Sequence, residues 1–127
     1  MAPLGEGRPD QVLPGTKFLL VDPRAGVARP LRVGLNTIGR FPSNDIVLED
    51  RCISRRHCVI LVHARGGCEL HDTASLNGTF LNGRRVREPA RLTSGDCIRV
   101  YDRPLLFESE ADDPAAPEDA VMGTMFG

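Results

Sequence analysis

The sequence has no long hydrophobic run. None of its stretches approaches the roughly 18 to 20 continuous apolar residues that a bilayer span requires. Residues 1–15 contain Pro, Gly, Glu and Asp where a signal peptide would be apolar. We therefore expect a cytoplasmic protein without membrane contact. Its 127 residues suffice for one core, because two cores would each bury too little apolar surface.

Aromatic residues and cysteines are also few. The chain has five Phe, one Tyr and no Trp, and no aromatic run interleaved with basic residues of the kind that stacks on nucleic acid. The cysteines are separated by five, nine and twenty-eight residues, which excludes CxxC and zinc-knuckle spacing: Cys52, Cys58, Cys68 and Cys97. We expect reduced, buried thiols and neither metal nor cofactor. The alternatives are a disulfide or a zinc site that includes His57, His63 or His71.

Lysine is nearly absent, since fifteen of the sixteen basic residues are Arg. The net charge of −1 conceals a division: residues 17–107 carry fifteen basic and nine acidic side chains, and residues 108–127 carry six acids and no base. Arginine suits bidentate recognition of anions. An arginine-rich composition is also typical of GC-rich genomes, so it does not by itself identify a ligand.

Helical periodicity is missing over any stretch of ten residues, and short apolar runs alternate with turn residues. About ten strands are visible, at residues 17–21, 28–33, 36–39, 46–48, 57–63, 68–72, 79–81, 84–86, 97–101 and 104–108. Ten strands are too many for one small open sheet. We therefore predict an all-β sandwich of two sheets. In residues 57–63, alternation places Cys58, Ile60 and Val62 in the core and leaves Val59 and Leu61 partly exposed.

Both ends of the chain differ from the middle in composition. Residues 1–16 are rich in Pro and Gly, and residues 109–127 are rich in Asp, Glu, Ala and Pro. We expect a flexible amino-terminal segment, one domain at residues 17–108 and a disordered acidic tail at 109–127. The tail's acids could compete with an anionic ligand for the basic domain.

Three loops are unusually polar, namely residues 39–45, 50–57 and 73–79. In a sandwich, loops that connect strands at one end lie together and commonly carry function. If these three share an end, they form a patch of guanidinium, hydroxyl and amide groups that suits a phosphate. The side chains that would converge are Arg40, Ser54, Arg55, Arg56, Ser75 and Asn77.

Six segments occur in a characteristic order: Ile38-Gly39-Arg40, residues 44–48, residues 54–57, Asp72, residues 75–83 and residues 92–98. In this order and at these intervals they resemble the forkhead-associated (FHA) domain over residues 17–108. The resemblance implies an eleven-strand β-sandwich that binds phosphothreonine peptides through loops at one end and has no catalytic activity. The implied partner is a protein phosphorylated by an upstream Ser/Thr kinase.

The resemblance also implies roles for individual residues. Arg40 matches the arginine that pairs with phosphate and peptide, and Ser54 matches the serine whose hydroxyl contacts a phosphate oxygen. Arg55 follows that serine at a position that often contacts phosphate, and Asn77 matches the asparagine that holds the ligand backbone. Supporting roles fall to His57, which braces the loops, and to Gly39 and Gly78, where the chain turns with positive φ.

One position departs from the family pattern. The residue before the binding asparagine often carries a hydroxyl that reaches the phosphate, and here it is Leu76. Loss of a neutral hydrogen bond of about 0.5 to 1.5 kcal/mol should weaken binding without abolishing it.

Two other functions are alternatives. A hydrolase would use Ser54 as nucleophile, His57 as base and Asp72 as the group that orients it, but the chain has no GxSxG motif. Nucleic-acid binding by the basic domain is the other, and the few aromatic residues argue against it.

Overall fold

The structure is a computed structural model that describes residues 18–109, and this part of the chain contains eleven β-strands and no helix. The strands are β1 (Phe18–Asp22), β2 (Val27–Pro30), β3 (Gly34–Gly39), β4 (Ile46–Val47), β5 (Cys58–Val62), β6 (Cys68–Asp72), β7 (Thr79–Leu81), β8 (Arg84–Arg85), β9 (Ala90–Leu92), β10 (Cys97–Val100) and β11 (Arg103–Ser109). The predicted all-β class is confirmed.

The strands form two sheets. One has five strands in the order β9-β6-β5-β3-β4, and the other has six in the order β2-β1-β11-β10-β7-β8. Every pair is antiparallel except β3 and β4, which run parallel with Ile38 opposite Ile46. The predicted two-sheet sandwich is therefore confirmed.

Ten of the eleven strands correspond to predicted ones, and β9 is the strand that the sequence pattern missed. It has only three residues, of which Arg91 is exposed, so it shows no apolar run. Pairing along β6, with Leu92 opposite Cys68, makes it a strand. The predicted start of the tail also differs by one residue. Ser109 belongs to β11 rather than to the tail, and its N–H donates to Ser94 Oγ at 3.0 Å.

Alternation along β5 places side chains as predicted on the core face. Cys58, Ile60 and Val62 are buried with the inward residues of both sheets. The expectation for Val59 was wrong, because this side chain is only 9% exposed. It lies on a central strand between Thr37 of β3 and His71 of β6, which flank it on the outer face.

The cysteines differ in their surroundings, and within residues 18–109 none of the four forms a disulfide. Cys58 and Cys68 are buried as expected, and burial raises the pKa of the Cys58 thiol to about 12. The prediction was wrong for Cys52, which is exposed because it lies in the loop between β4 and β5 rather than on a strand.

Residues 1–17 and 110–127 lie outside the described residues, and the predictions made for those segments remain predictions. Within residues 18–109, no helix has the length and apolar character needed to cross a membrane.

Candidate functional site

Three loops meet at one end of the sandwich. They follow β3, β4 and β6 and comprise residues 40–45, 48–57 and 73–78. The first two are joined where Arg40 N–H donates to Ser54 O at 3.0 Å. The second and third are joined where Thr73 Oγ1 donates to Arg56 O at 2.8 Å and Asn77 Nδ2 to Cys52 O at 2.7 Å. The predicted convergence of the three loops is thus present in the structure.

His57 lies behind these loops and is fully buried. The Ser54 N–H donates to its Nδ1 at 3.0 Å, and its Nε2 lies 2.9 Å from Gly78 O. A backbone N–H can only donate, so Nδ1 is the acceptor and the ring proton sits on Nε2, which donates to Gly78. One neutral imidazole thereby ties the loop that carries Ser54 to the loop that carries Asn77.

Asp72 organises the third loop from the end of β6. Its carboxylate accepts hydrogen bonds from Ser75 Oγ at 2.6 Å, from Thr79 Oγ1 at 2.7 Å and from Ser75 N–H at 3.1 Å. Burial pushes the pKa of Asp72 upward, but these hydrogen bonds outweigh it and lower the pKa. Asp72 is therefore a charged anchor beneath the loop.

Ser75 does not contribute to the patch as expected. It is 7% exposed, and its hydroxyl donates to Asp72 while accepting from Gly78 N–H at 3.0 Å. Both hydrogen-bonding roles of the hydroxyl are used inside the loop. Ser75 shapes the site and offers nothing to a ligand.

Arg40 follows β3 and is half-buried. It lies on the rim, the surface that the three loops form at this end of the sandwich. Its Nε donates to Ile53 O at 3.0 Å, which fixes the direction of the guanidinium. Within residues 18–109 no hydrogen bond or ion pair uses the two terminal nitrogens of the fork, which leaves them for a ligand in the arrangement that matches two oxygens of one anion.

The Ser54 hydroxyl faces the same space. Its Oγ accepts a hydrogen bond from Leu76 N–H at 3.0 Å. The oxygen of this hydroxyl accepts from an amide, so its hydrogen can be donated to an acceptor on a ligand. A phosphate oxygen is such an acceptor.

Asn77 projects from the third loop and is exposed. One amide hydrogen is used on Cys52 O, which leaves the other hydrogen and Oδ1. A peptide backbone presents both a donor and an acceptor to such a group. The structure thus places Asn77 on the same rim as Arg40 and Ser54.

An open cavity of about 360 Å³ lies between the loops. It is lined by Arg40, Arg51, Cys52, Ile53, Ser54, Arg55, Arg56 and Leu76. Four of these eight residues are arginines and none is acidic, so the cavity favours an anion. The guanidinium groups of Arg40 and Arg55 lie 5.5 and 5.2 Å from the ring centre of Phe41, so one aromatic ring contacts two cations that line the cavity.

The two predicted support glycines are needed for different reasons. Gly78 has φ of +89°, as predicted for a turn. Gly39 has no positive φ, so the reason given for it was wrong. A Cβ there would collide with the carbonyl oxygen of Arg55 and lie 2.8 Å from Asn44 Nδ2. Close approach of two backbones is what requires glycine at position 39.

Hydrolase geometry is not formed. Both ring nitrogens of His57 contact backbone atoms, so neither faces the Ser54 hydroxyl. Asp72 binds Ser75 and Thr79 instead of orienting the imidazole.

Sequence reasoning missed several residues of the site. Arg51 and Cys52 line the cavity, and Asn44 donates to Phe41 O and Arg55 O at 2.8 and 2.7 Å, which links the first two loops. Asn44 belongs to a motif of the family resemblance, so its order in the chain was a usable signal. No comparable signal marks Arg51 among the many arginines.

Comparison with known proteins identifies the family. The FHA domain profile matches residues 36–100. The oxoglutarate dehydrogenase inhibitor of Corynebacterium efficiens is 37% identical over 108 residues, which cover 84% of this chain and 74% of that protein. The transcriptional regulatory protein EmbR of Mycobacterium tuberculosis is 36% identical over 92 residues, which cover 72% of this chain and 24% of EmbR.

Solved structures agree with these matches. EmbR in complex with a low-affinity phosphopeptide superimposes with a TM-score of 0.70 at 33% identity, covering 76% of this chain and 25% of that one. A domain solved in an analysis of phosphothreonine-dependent FHA interactions has a TM-score of 0.68 at 33% identity, covering 73% and 96%. The chain spans only about a quarter of the length of EmbR. Fold and sequence agree that this chain belongs to the FHA domain family.

Proposed function

We propose that this chain is a non-catalytic module that binds a phosphothreonine-containing segment of a partner protein. The observation that carries the proposal is one cavity that Arg40 and Ser54 both line, where among residues 18–109 no acid competes for the terminal nitrogens of Arg40 or for the donor hydrogen of Ser54. Its size suits one phosphorylated side chain rather than a long polyanion.

Each residue has a defined part in this proposal. Arg40 pairs with two phosphate oxygens, the Ser54 hydroxyl donates to a third, and Arg55 adds a second cation. Asn77 holds the ligand backbone next to the phosphothreonine. His57, Gly39 and Gly78 keep the loops at the required separation.

The solved complex of EmbR with a phosphopeptide supports this assignment, because EmbR shares the fold and a third of the aligned sequence. The proposal locates this chain in the cytoplasm, and a Ser/Thr kinase must act upstream to phosphorylate its partner protein. Neither a nucleic acid nor a membrane is part of the proposal. The engaged ring nitrogens of His57 argue against a hydrolytic role.

The test is a binding titration with matched peptides that contain phosphothreonine, phosphoserine or unmodified threonine. Wild-type protein should bind the phosphothreonine form most tightly. Arg40→Ala should weaken that binding roughly ten- to a hundredfold, because a charge-assisted hydrogen bond contributes about 1.5 to 3 kcal/mol. Arg84→Ala is the matched control, since it removes the same charge from an exposed position on β8.

Two results would overturn the proposal. One is equal affinity for the phosphorylated and unmodified peptides. The other is an Arg40→Ala variant that binds as tightly as the Arg84→Ala control.

A further inference from the structure

Exposed apolar side chains cluster around the basic cavity. Six large hydrophobic residues among residues 18–109 are exposed. Of these, Leu76 lines the cavity, and Phe41 and Tyr101 interact with residues that line it. The other three lie along β2, β3 and the segment between them. A rim that recognises only a phosphate needs no such surface.

Phe41 and Tyr101 have partners within the protein. The ring of Phe41 contacts the guanidinium groups of Arg40 and Arg55. The Tyr101 phenol shares a side-chain hydrogen bond with Cys52, which raises the pKa of Tyr101. Their positions are therefore explained by contacts that hold the rim together.

Leu76 is different, because its side chain is 83% exposed although it lines the cavity. Its backbone is held in place, since its N–H donates to Ser54 Oγ and its neighbour Ser75 is buried. Leu76 thus presents an exposed apolar side chain from a backbone that is held in place without a ligand. Burial of such a surface against another apolar group is favourable, and a carboxylate or hydroxyl gains nothing from it.

Leu76 directly precedes Asn77, the residue assigned to the ligand backbone beside the phosphothreonine. A ligand that contacts both the cavity and Asn77 passes over Leu76 within one residue of the phosphorylated side chain. We infer that Leu76 selects an apolar side chain in the ligand residue immediately next to the phosphothreonine. This inference rests on the proposed phosphopeptide binding and adds to it the chemistry of the flanking residue.

The experiment uses the full chain and an oriented library of phosphothreonine peptides that are degenerate elsewhere. The residues immediately before and after the phosphothreonine are set in turn to Leu, Ala or Asp. Wild-type protein should prefer Leu over Ala at one of these two positions by roughly five- to tenfold, the effect expected when one apolar contact is removed from water.

Variants separate the leucine from the rest of the site. Leu76→Ala removes most of the apolar surface without adding a hydroxyl, and the preference should fall below about twofold, a loss consistent with removing that contact. Leu35→Ala is the matched control, because Leu35 is 58% exposed on β3 and should leave the preference unchanged.

The outcomes distinguish this inference from the proposed function. Phosphate-dependent binding without any flanking preference in the wild type would overturn the inference and leave the function standing. A preference that survives Leu76→Ala would also overturn it. Binding that does not depend on phosphate, or on Arg40, would overturn both.

Discussion

At the scale of single residues, the site depends on side chains that never face the ligand. His57 and Asp72 are both engaged by the loops, the first through two backbone groups and the second through Ser75 and Thr79. Each satisfies backbone or hydroxyl groups that would otherwise be buried without partners. His57 and Asp72 thereby fix the loops from which ligand-facing groups such as the Ser54 hydroxyl project.

Asp72→Asn should destabilise the protein at neutral pH, because an amide cannot accept all three hydrogen bonds. The pKa of Asp72 is lowered in the folded state, so its carboxylate contributes stability above the ordinary aspartate value of about 3.9. That contribution is lost as pH falls below this value and through the folded pKa. We expect Asp72→Asn to reduce the free energy of unfolding by roughly 1 to 3 kcal/mol at pH 7, and by less at about pH 3, below the ordinary aspartate pKa.

Chemical denaturation at pH 7 and at pH 3 measures this difference. The control is Asp102→Asn, whose side chain is 56% exposed in a long ion pair with Arg24 and should change the stability by less than about 0.5 kcal/mol. If Asp72→Asn lowered the free energy of unfolding equally at both pH values, the charge on Asp72 would not be what stabilises the loop.

At the scale of elements, the site is built where strands stop. β3 ends at Gly39, and the chain there crosses the loop before β5 closely enough that Phe41 N–H donates to Arg55 O at 3.2 Å. The parallel pairing of β3 with β4 returns the chain past the same point, with Leu48 N–H donating to Gly39 O at 2.9 Å. Two backbones are thus in contact beneath Arg40 and Arg55.

Gly39→Ala should weaken both stability and phosphopeptide binding. The new Cβ would meet backbone atoms of Arg55, which cannot move without displacing the loop that carries Ser54. Overpacking of this kind costs about 1 to 3 kcal/mol. Denaturation and peptide titration should both report the change.

Gly26→Ala provides the control for this prediction. Gly26 has φ of +69° and open space around its Cβ position, so a substitution strains the backbone without a collision. It should lower stability and leave peptide affinity unchanged. Normal affinity in Gly39→Ala would mean that the close approach does not position the binding loops.

At the scale of the whole molecule, charge is unevenly distributed along the chain. Residues 18–109 contain fourteen arginines against ten acids, whereas residues 110–127 contain five acids and no base: Glu110, Asp112, Asp113, Glu118 and Asp119. The four arginines of the cavity therefore share a chain with a separate block of negative charge. Attraction between the two is long-ranged only at low salt, since the Debye length is about 10 Å at 0.1 M.

A chain that ends at Ser109 should bind phosphopeptide more tightly than the full chain at low ionic strength, because five competing carboxylates are removed. The difference should be severalfold at about 0.01 M salt and should vanish near 1 M, where the Debye length falls from about 30 to 3 Å. Replacing the five acids by their amides in the full chain should reproduce the effect. Equal affinities at low salt would rule out competition by the acidic segment.

Local pattern was sufficient for much of this protein. Alternation placed Cys58, Ile60 and Val62 in the core. Asn82-Gly83, a dipeptide that favours two-residue turns, joins β7 to β8 with positive φ at both residues. The order of short motifs indicated the family and the candidate residues Arg40, Ser54 and Asn77. These features are encoded by neighbours in sequence, so a single chain read alone reveals them.

Contacts between distant segments decided the rest. Ser75 and Asn77 are two residues apart in one polar loop, yet only the structure turns Ser75 inward to Asp72 and leaves Asn77 on the rim. The need for glycine at position 39 comes from Arg55, sixteen residues away, and β9 exists because β6 offers it a partner. The sequence by itself determined ten of the eleven strands, because side-chain alternation and turn chemistry are local. Which polar groups face one another, and which remain for a ligand, depends on close approach in three dimensions, and only the tertiary structure decided it.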